Sequence, residues 1–73
     1  MSAEIPDTPR AIAEQVAVAW RSNRTDHMAA FDLYAQLLGM LDGSRLAAID
    51  LLTEFVGSEV AYEIDLEYER ERA

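Results

Sequence analysis

The sequence predicts one small all-α domain of three helices, and three observations support that prediction. Apolar residues recur at three- and four-residue spacing along most of the chain, as they do on the buried side of a helix. Residues that favour helix ends stand between these stretches. The apolar content of 51% is too high for a disordered chain. The predicted helices span residues 8–22, 25–42 and 44–57, after a frayed start at 1–7 and before an acidic C-terminal segment at 58–72.

The first predicted helix begins after a good capping residue. Thr8 can cap it, and Pro9 suits the first helical position, where its missing N–H leaves no hydrogen bond unmade. Ile12, Val16 and Trp20 then follow at four-residue spacing and form one apolar stripe. We expect this stripe, including Trp20, to pack into the core.

The second predicted helix is apolar around most of its circumference. Only Asp32, Gln36 and Gly39 form a narrow polar strip. Two short neighbouring helices cannot cover so much apolar surface, which indicates either a central helix or a contact between two copies of the chain. The residues expected at such a dimer or partner surface are Leu33, Leu37, Met40 and Leu41.

A turn separates the second predicted helix from the third. Gly43 suits the left-handed position that often ends a helix, and Ser44 can cap the helix that follows. The third helix presents an apolar side from Leu46 to Val56, but beyond Gly57 the same side would carry glutamates. We therefore expect either a helix that leaves the body of the protein at Gly57 or a new element that starts there.

The C-terminal segment alternates strictly between apolar and acidic side chains, which is the period of a β-strand. A lone strand leaves its backbone unpaired, so it would pair with a second copy or with the sheet edge of a partner. Glu, Ala and Arg are good helix formers, so a projecting helix is the alternative, and a tail that orders on binding is the third. The apolar residues expected to contact a partner are Tyr62, Ile64, Leu66 and Tyr68.

The composition excludes several function classes. The absence of Cys and Lys removes a thiolate metal site, a Cys nucleophile and a catalytic lysine. His27 stands alone, so we expect a surface histidine, no metal, no cofactor and no enzyme. The net charge of −8 disfavours direct binding to nucleic acid or an anionic membrane. No apolar run is long enough to cross a bilayer and no leader pattern opens the chain, so we expect a cytoplasmic protein.

The acidic residues of the C-terminal segment predict a protein-binding function. Alternate carboxylates repeat every 6–7 Å or so on a strand and about every 5–6 Å on a helix, which resembles the spacing of phosphates along a nucleic-acid strand. Such a surface can occupy a basic groove that normally binds nucleic acid. We therefore expect a small inhibitor that masks such a groove as a DNA mimic, like a phage anti-defence protein or an antitoxin. The expected charged contacts are Glu59, Glu63, Asp65, Glu67 and Glu69.

Two alternatives remain beside this function. The acidic residues can simply form a solvated face that keeps a small protein soluble. The protein can also be a structural module that assembles as a homodimer through the second helix.

A further alternative follows from a resemblance. The stretch "LDGSRLAAIDLLTEF" at 41–55 resembles the Asp-Ser-Leu helix of acyl carrier proteins, which are also small, acidic and helical. The resemblance implies phosphopantetheine attachment at Ser44. Gly43 and Arg45 stand where that family has Asp and Leu, and the apolar second helix stands where the family has a long loop.

Overall fold

The computed structural model describes residues 8–23 and 25–72. This part of the chain folds into four α-helices and contains no strand. The helices are α1 (Pro9–Ser22), α2 (Met28–Met40), α3 (Arg45–Val56) and α4 (Ser58–Arg72). The all-α prediction is confirmed, but the count of three helices and the strand alternative are wrong, because the C-terminal segment forms a fourth helix. The predicted fraying of residues 1–7 lies outside the described residues.

Side-chain caps hold the N-termini of α1 and α3. Thr8 Oγ1 accepts a hydrogen bond from the backbone N–H of Ala11 at 3.1 Å, and Pro9 is the first residue of α1. Ser44 Oγ accepts one from the N–H of Ala47 at 3.3 Å, where α3 begins. Each bond satisfies an N–H group that has no partner inside its helix, as the sequence predicts for both positions.

α2 begins three residues later than predicted. Asn23 Oδ1 accepts hydrogen bonds from the backbone N–H groups of Thr25 and Asp26, at 3.3 and 3.1 Å. Asp26 Oδ1 in turn accepts one from the N–H of Met28. Because Asn and Asp side chains compete for backbone N–H groups, these bonds hold a turn where the periodicity predicts helix.

Two successive residues with positive φ close the C-terminus of α2. Asp42 has a φ of 57° and Gly43 a φ of 79°, and the Gly43 N–H donates to the Leu38 carbonyl at 2.7 Å. This is the 6→1 hydrogen bond of a Schellman motif. Asp42, rather than Gly43, takes the left-handed position after the helix, because α2 ends at Met40 instead of at residue 42.

A single residue, Gly57, joins α3 to α4. Its N–H donates to the Thr53 carbonyl and its carbonyl accepts from the Ala61 N–H, both at 3.0 Å, so it closes one helix and opens the next. Its φ of 87° and ψ of 159° lie in a region that essentially only glycine adopts, and this permits the sharp change of direction. α4 therefore folds back against α3 and does not project from the body of the protein.

All four helices contribute to one core. α1 and α3 pack on α2, and α4 reaches it through Tyr68, whose ring lies 5.0 Å from that of Tyr34. α3 packs on all three other helices, and Met28 and Met40 of α2 stay exposed, so the central-helix prediction for α2 is not confirmed. Leu37 is fully buried inside this core, so its expected place on a dimer surface is wrong. The core residues are Ile12, Ala13, Val16, Tyr34, Leu37, Leu38, Ala48, Ile49, Leu52, Ala61 and Ile64.

Candidate partner-binding surface

The helical conformation of the C-terminal segment separates its alternating side chains. Ile64 is buried and Tyr68 is half-buried against the core, whereas Tyr62 and Leu66 are 51% and 58% exposed. A helix turns about 100° per residue, so side chains two positions apart point in different directions. The predicted apolar face running from Tyr62 to Tyr68 is therefore wrong, and only Tyr62 and Leu66 present most of their surface to solvent.

Asp65, expected to contact a partner, is instead a buried polar group inside the protein. It accepts a hydrogen bond of 2.6 Å from the Tyr34 hydroxyl. Arg45 Nη2 and Nε donate to the same carboxylate at 2.6 and 3.2 Å. Because only 2% of Asp65 is exposed, it is out of reach of a partner. These donors replace the water that the carboxylate loses on burial.

The groups around Asp65 change one another's pKa values. Burial acts to raise the pKa of Asp65, but the hydrogen bonds from Arg45 and Tyr34 outweigh burial and hold it below its usual value. Burial and the bond to Asp65 raise the pKa of Tyr34. The bond to Asp65 also raises the pKa of Arg45. The ionised pair of Asp65 and Arg45 and the neutral Tyr34 thus connect α2, α3 and α4. None of the three has a pKa shifted toward neutral pH, so they are not suited to acid–base chemistry there.

Two other predicted contact residues take part in ion pairs on the protein surface. Glu69 lies 3.8 Å from Arg45 and 3.6 Å from Arg72, and Glu67 lies 3.2 Å from Arg70. Exposed pairs of this kind contribute about 0–1 kcal/mol each, so a basic partner can displace them at small cost.

Three glutamates form a row along the outer side of α4. Glu59 and Glu63 are exposed and have no ion pair among residues 8–23 and 25–72. Glu67 follows one turn later, so the three carboxylates stand at successive i,i+4 positions, about 5–6 Å apart at their Cβ atoms. We call Glu59, Glu63 and Glu67 the acidic row. Its negative charge is mostly uncompensated within the described chain.

An apolar groove lies between α3 and α4. Leu46 of α3 is 73% exposed and faces Tyr62 and Leu66 of α4, while Ile49 lines the groove at only 6% exposure. We call these four residues the α3–α4 groove. The sequence assigned Leu46 to the core, because its spacing to Ile49 matches a buried stripe. Nothing in the neighbouring sequence distinguishes Leu46 from Ile49. The angle at which α4 packs on α3 determines that Ile49 is covered and Leu46 is not.

A second cleft lies where the α1–α2 turn approaches α4. Trp20 and His27 stack there with their ring centroids 3.7 Å apart, and Arg21 donates to the Phe55 carbonyl at 3.2 Å. Glu63 lines the same cleft. His27 is therefore half-buried against an aromatic ring and not a free surface histidine. The sequence does not reveal this contact, because it depends on how the turn between α1 and α2 folds.

The dimer surface predicted on α2 does not form a continuous apolar face. Leu37 is buried, Leu33 and Leu41 are half-buried, and Met40 is 39% exposed. Homodimer formation itself stays a prediction, but these four side chains do not present a common surface for it.

Ser44, the attachment residue implied by the acyl-carrier resemblance, is exposed at the start of α3, where its hydroxyl caps the helix. Among the described residues, no three His, Asp or Glu side chains lie close enough together to hold a metal ion. In the same residues, no helix combines the length and the apolar character needed to cross a membrane. The chain matches no protein-family model, and neither a curated protein nor a solved structure is significantly similar to it.

Proposed function

We propose that the protein is a non-enzymatic binding module that engages a basic surface of another protein and masks it. The observation that carries the proposal is the position of the acidic row directly beside Tyr62 and Leu66 on the outer side of α4. Carboxylates steer and orient a basic partner, while exposed aromatic and aliphatic side chains supply the apolar contact that slows dissociation. One helix thus presents both kinds of contact to the same partner.

The charge of the protein supports a partner that normally binds nucleic acid. The carboxylates of the acidic row repeat about every 5–6 Å, which resembles the spacing of successive phosphates on a strand. Lysines and arginines that bind phosphates can bind such a row and release the same counterions. The net charge of −8 adds long-range attraction to the same partners. The protein then acts as a DNA mimic, in the manner of a phage anti-defence inhibitor or an antitoxin-like neutraliser.

A comparison of two charge variants tests the proposed function. The first, Glu59→Gln/Glu63→Gln/Glu67→Gln, neutralises the acidic row. The second, Glu14→Gln/Asp32→Asn/Glu71→Gln, removes the same number of charges from exposed positions elsewhere. Each tagged protein is incubated with lysate of the native host, washed, and eluted first with double-stranded DNA and then with salt.

The expected result is a nucleic-acid-binding protein that wild type and the second variant retain, that DNA releases, and that the acidic-row variant loses. With that protein purified, the association rate at low salt should fall by about tenfold in the acidic-row variant. Equal retention by the two variants would contradict the proposed function, as would retention that DNA does not affect.

A further inference from the structure

We infer that the element of the partner that this protein binds is a basic amphipathic α-helix seated in the α3–α4 groove. The inference rests on the proposed function and specifies the form of the contact. The apolar side of the bound helix lies on Leu46, Tyr62 and Leu66. Its lysines and arginines lie along the two edges of the groove and face carboxylates of this protein.

The groove collects the most exposed apolar side chains of α3 and α4. Leu46 is 73%, Leu66 58% and Tyr62 51% exposed, and all three border one groove. The large apolar side chains exposed elsewhere in the described residues are Val18, Met28 and Met40. These belong to α1 and α2 and line no part of the groove. A contiguous apolar strip with a polar rim marks an interaction site, whereas single exposed apolar residues are ordinary.

The walls of the groove are helices, and this favours a helical occupant. Tyr62 and Leu66 lie one turn apart on α4, about 6 Å along the helix axis at 1.5 Å per residue. Residues i and i+4 of a bound helix repeat at the same distance, so their side chains fit between those of α4. An extended strand finds no sheet edge to join, because residues 8–23 and 25–72 contain no strand.

The charges around the groove favour a basic occupant over a second copy of this chain. Asp50 lines the groove on α3, and Glu59 directly follows Ser58, which lines the groove on α4. Neither carboxylate has an ion pair among the described residues. Arg45, which also lines the groove, already binds Asp65. A second copy would bring like charges together across the contact, whereas lysines and arginines would complement them.

A synthetic peptide tests the inference without knowledge of the natural partner. The probe is a fluorescent peptide of Leu and Lys, about 18 residues or five turns long, with Leu at i, i+3, i+4 and i+7. One control peptide has the same composition in scrambled order, and another has Glu in place of every Lys. Fluorescence anisotropy should give a Kd that is lower for the amphipathic Leu/Lys peptide than for either control by about tenfold or more.

Two protein variants then locate the binding site. Leu46→Ser/Leu66→Ser should raise the Kd of the Leu/Lys peptide by about tenfold or more, because two leucine contacts are lost. The matched control Val18→Ser/Met28→Ser should change it by less than about twofold. All four side chains are more than half exposed, so both variants should fold, as circular dichroism can verify. Equal effects of the two variants, or a scrambled peptide that binds as tightly as the amphipathic one, would overturn the inference.

Failure of this inference can be told apart from failure of the proposed function. If the acidic-row variant loses the natural target while Leu46→Ser/Leu66→Ser keeps it, the target does not use the groove and only the inference is wrong. If wild type forms a dimer in sedimentation analysis that Leu46→Ser/Leu66→Ser abolishes, a second copy fills the groove and the inference is again wrong. If the acidic-row variant keeps the target, the proposed function is wrong and the inference falls with it.

Discussion

The hydroxyl of Tyr34 donates a 2.6 Å hydrogen bond to Asp65 and so joins the middle of α2 to the middle of α4 inside the core. Arg45 of α3 binds the same carboxylate. This contact sets the rotation of α4 about its own axis, because Asp65 has to face inward to reach both donors. Tyr62 and Leu66 consequently face outward, so a contact that stabilises the fold also positions the candidate binding surface.

Removal of the Tyr34 hydroxyl should destabilise the protein. Tyr34→Phe keeps the ring and its packing but leaves the buried Asp65 carboxylate with one donor fewer. The free energy of unfolding, measured by urea denaturation, should fall by about 1–3 kcal/mol. Tyr62→Phe is the matched control: it removes a hydroxyl from a half-exposed ring and should change stability by less than about 0.5 kcal/mol. Equal changes in the free energy of unfolding for the two variants would show that the buried hydrogen bond does not stabilise the protein.

Asp65 should make stability depend on pH in the acid range. Its pKa in the folded protein lies below the ordinary value of 3.8, because the bonds from Arg45 and Tyr34 outweigh burial. The stability that it contributes is therefore fully present above about pH 5 and is lost as the pH falls through the folded-state pKa.

The variant Asp65→Asn isolates this contribution. Near pH 7 its free energy of unfolding should be lower than that of wild type by about 1–3 kcal/mol, since Arg45 is half-exposed and water replaces part of the lost bond. The difference between the two proteins should shrink as the pH falls below the ordinary aspartate value. Urea denaturation near pH 7, 5 and 3 provides the measurement. A difference that stays constant with pH would contradict the lowered pKa of Asp65.

Replacement of Gly57 by alanine should destabilise the protein, whereas the same change at Gly39 should not. No heavy atom stands within 4 Å of a Cβ added at either position, so packing is not involved. Gly57 has a φ of 87°, and Gly57→Ala should cost about 1–3 kcal/mol in backbone strain. Gly39 is within α2, where alanine is favoured by about 0.5–1 kcal/mol. Thermal unfolding of both variants should move Tm in opposite directions, and a raised Tm for Gly57→Ala would contradict the connection described here.

Truncation of Leu37 should affect stability and not merely association. Leu37 is fully buried beneath the neighbouring helices, so Leu37→Ala should lower the free energy of unfolding by about 2–5 kcal/mol. Met40, three residues later, is 39% exposed, and Met40→Ala should cost less than about 1 kcal/mol. Denaturation at two protein concentrations separates the effects. A loss for Leu37→Ala that disappears on dilution would place Leu37 in a dimer contact after all.

The sequence predicted those parts of the fold that neighbouring residues determine. Thr8 and Pro9 start α1, and Ser44 starts α3, because a cap acts on backbone groups only three residues away. The first helix accordingly ends at the predicted Ser22 and begins one residue after the predicted start, because Thr8 is its cap. The start of α2 was missed because the side chains of Asn23 and Asp26 hold a turn that apolar periodicity does not register.

The alternating C-terminal segment shows what the sequence cannot predict. Its period of two arises because Asp65 is buried and Leu66 is exposed, which is the reverse of their usual places. Burial of Asp65 depends on Arg45, 20 positions away, and on Tyr34, 31 positions away. In the candidate site, Tyr62 and Leu66 are exposed, as contact with a partner requires, although on a helix and not a strand. Their role in binding a partner stays a prediction.

The one-residue connection at Gly57 makes the length of the chain at this point as important as its composition. An inserted residue would turn α4 by about 100° relative to the core. Asp65 would then lose its hydrogen bonds to Tyr34 and Arg45, and Tyr62 and Leu66 would turn toward the interior. Proteins descended from the same ancestor should therefore not gain or lose a residue between α3 and α4 without losing the fold.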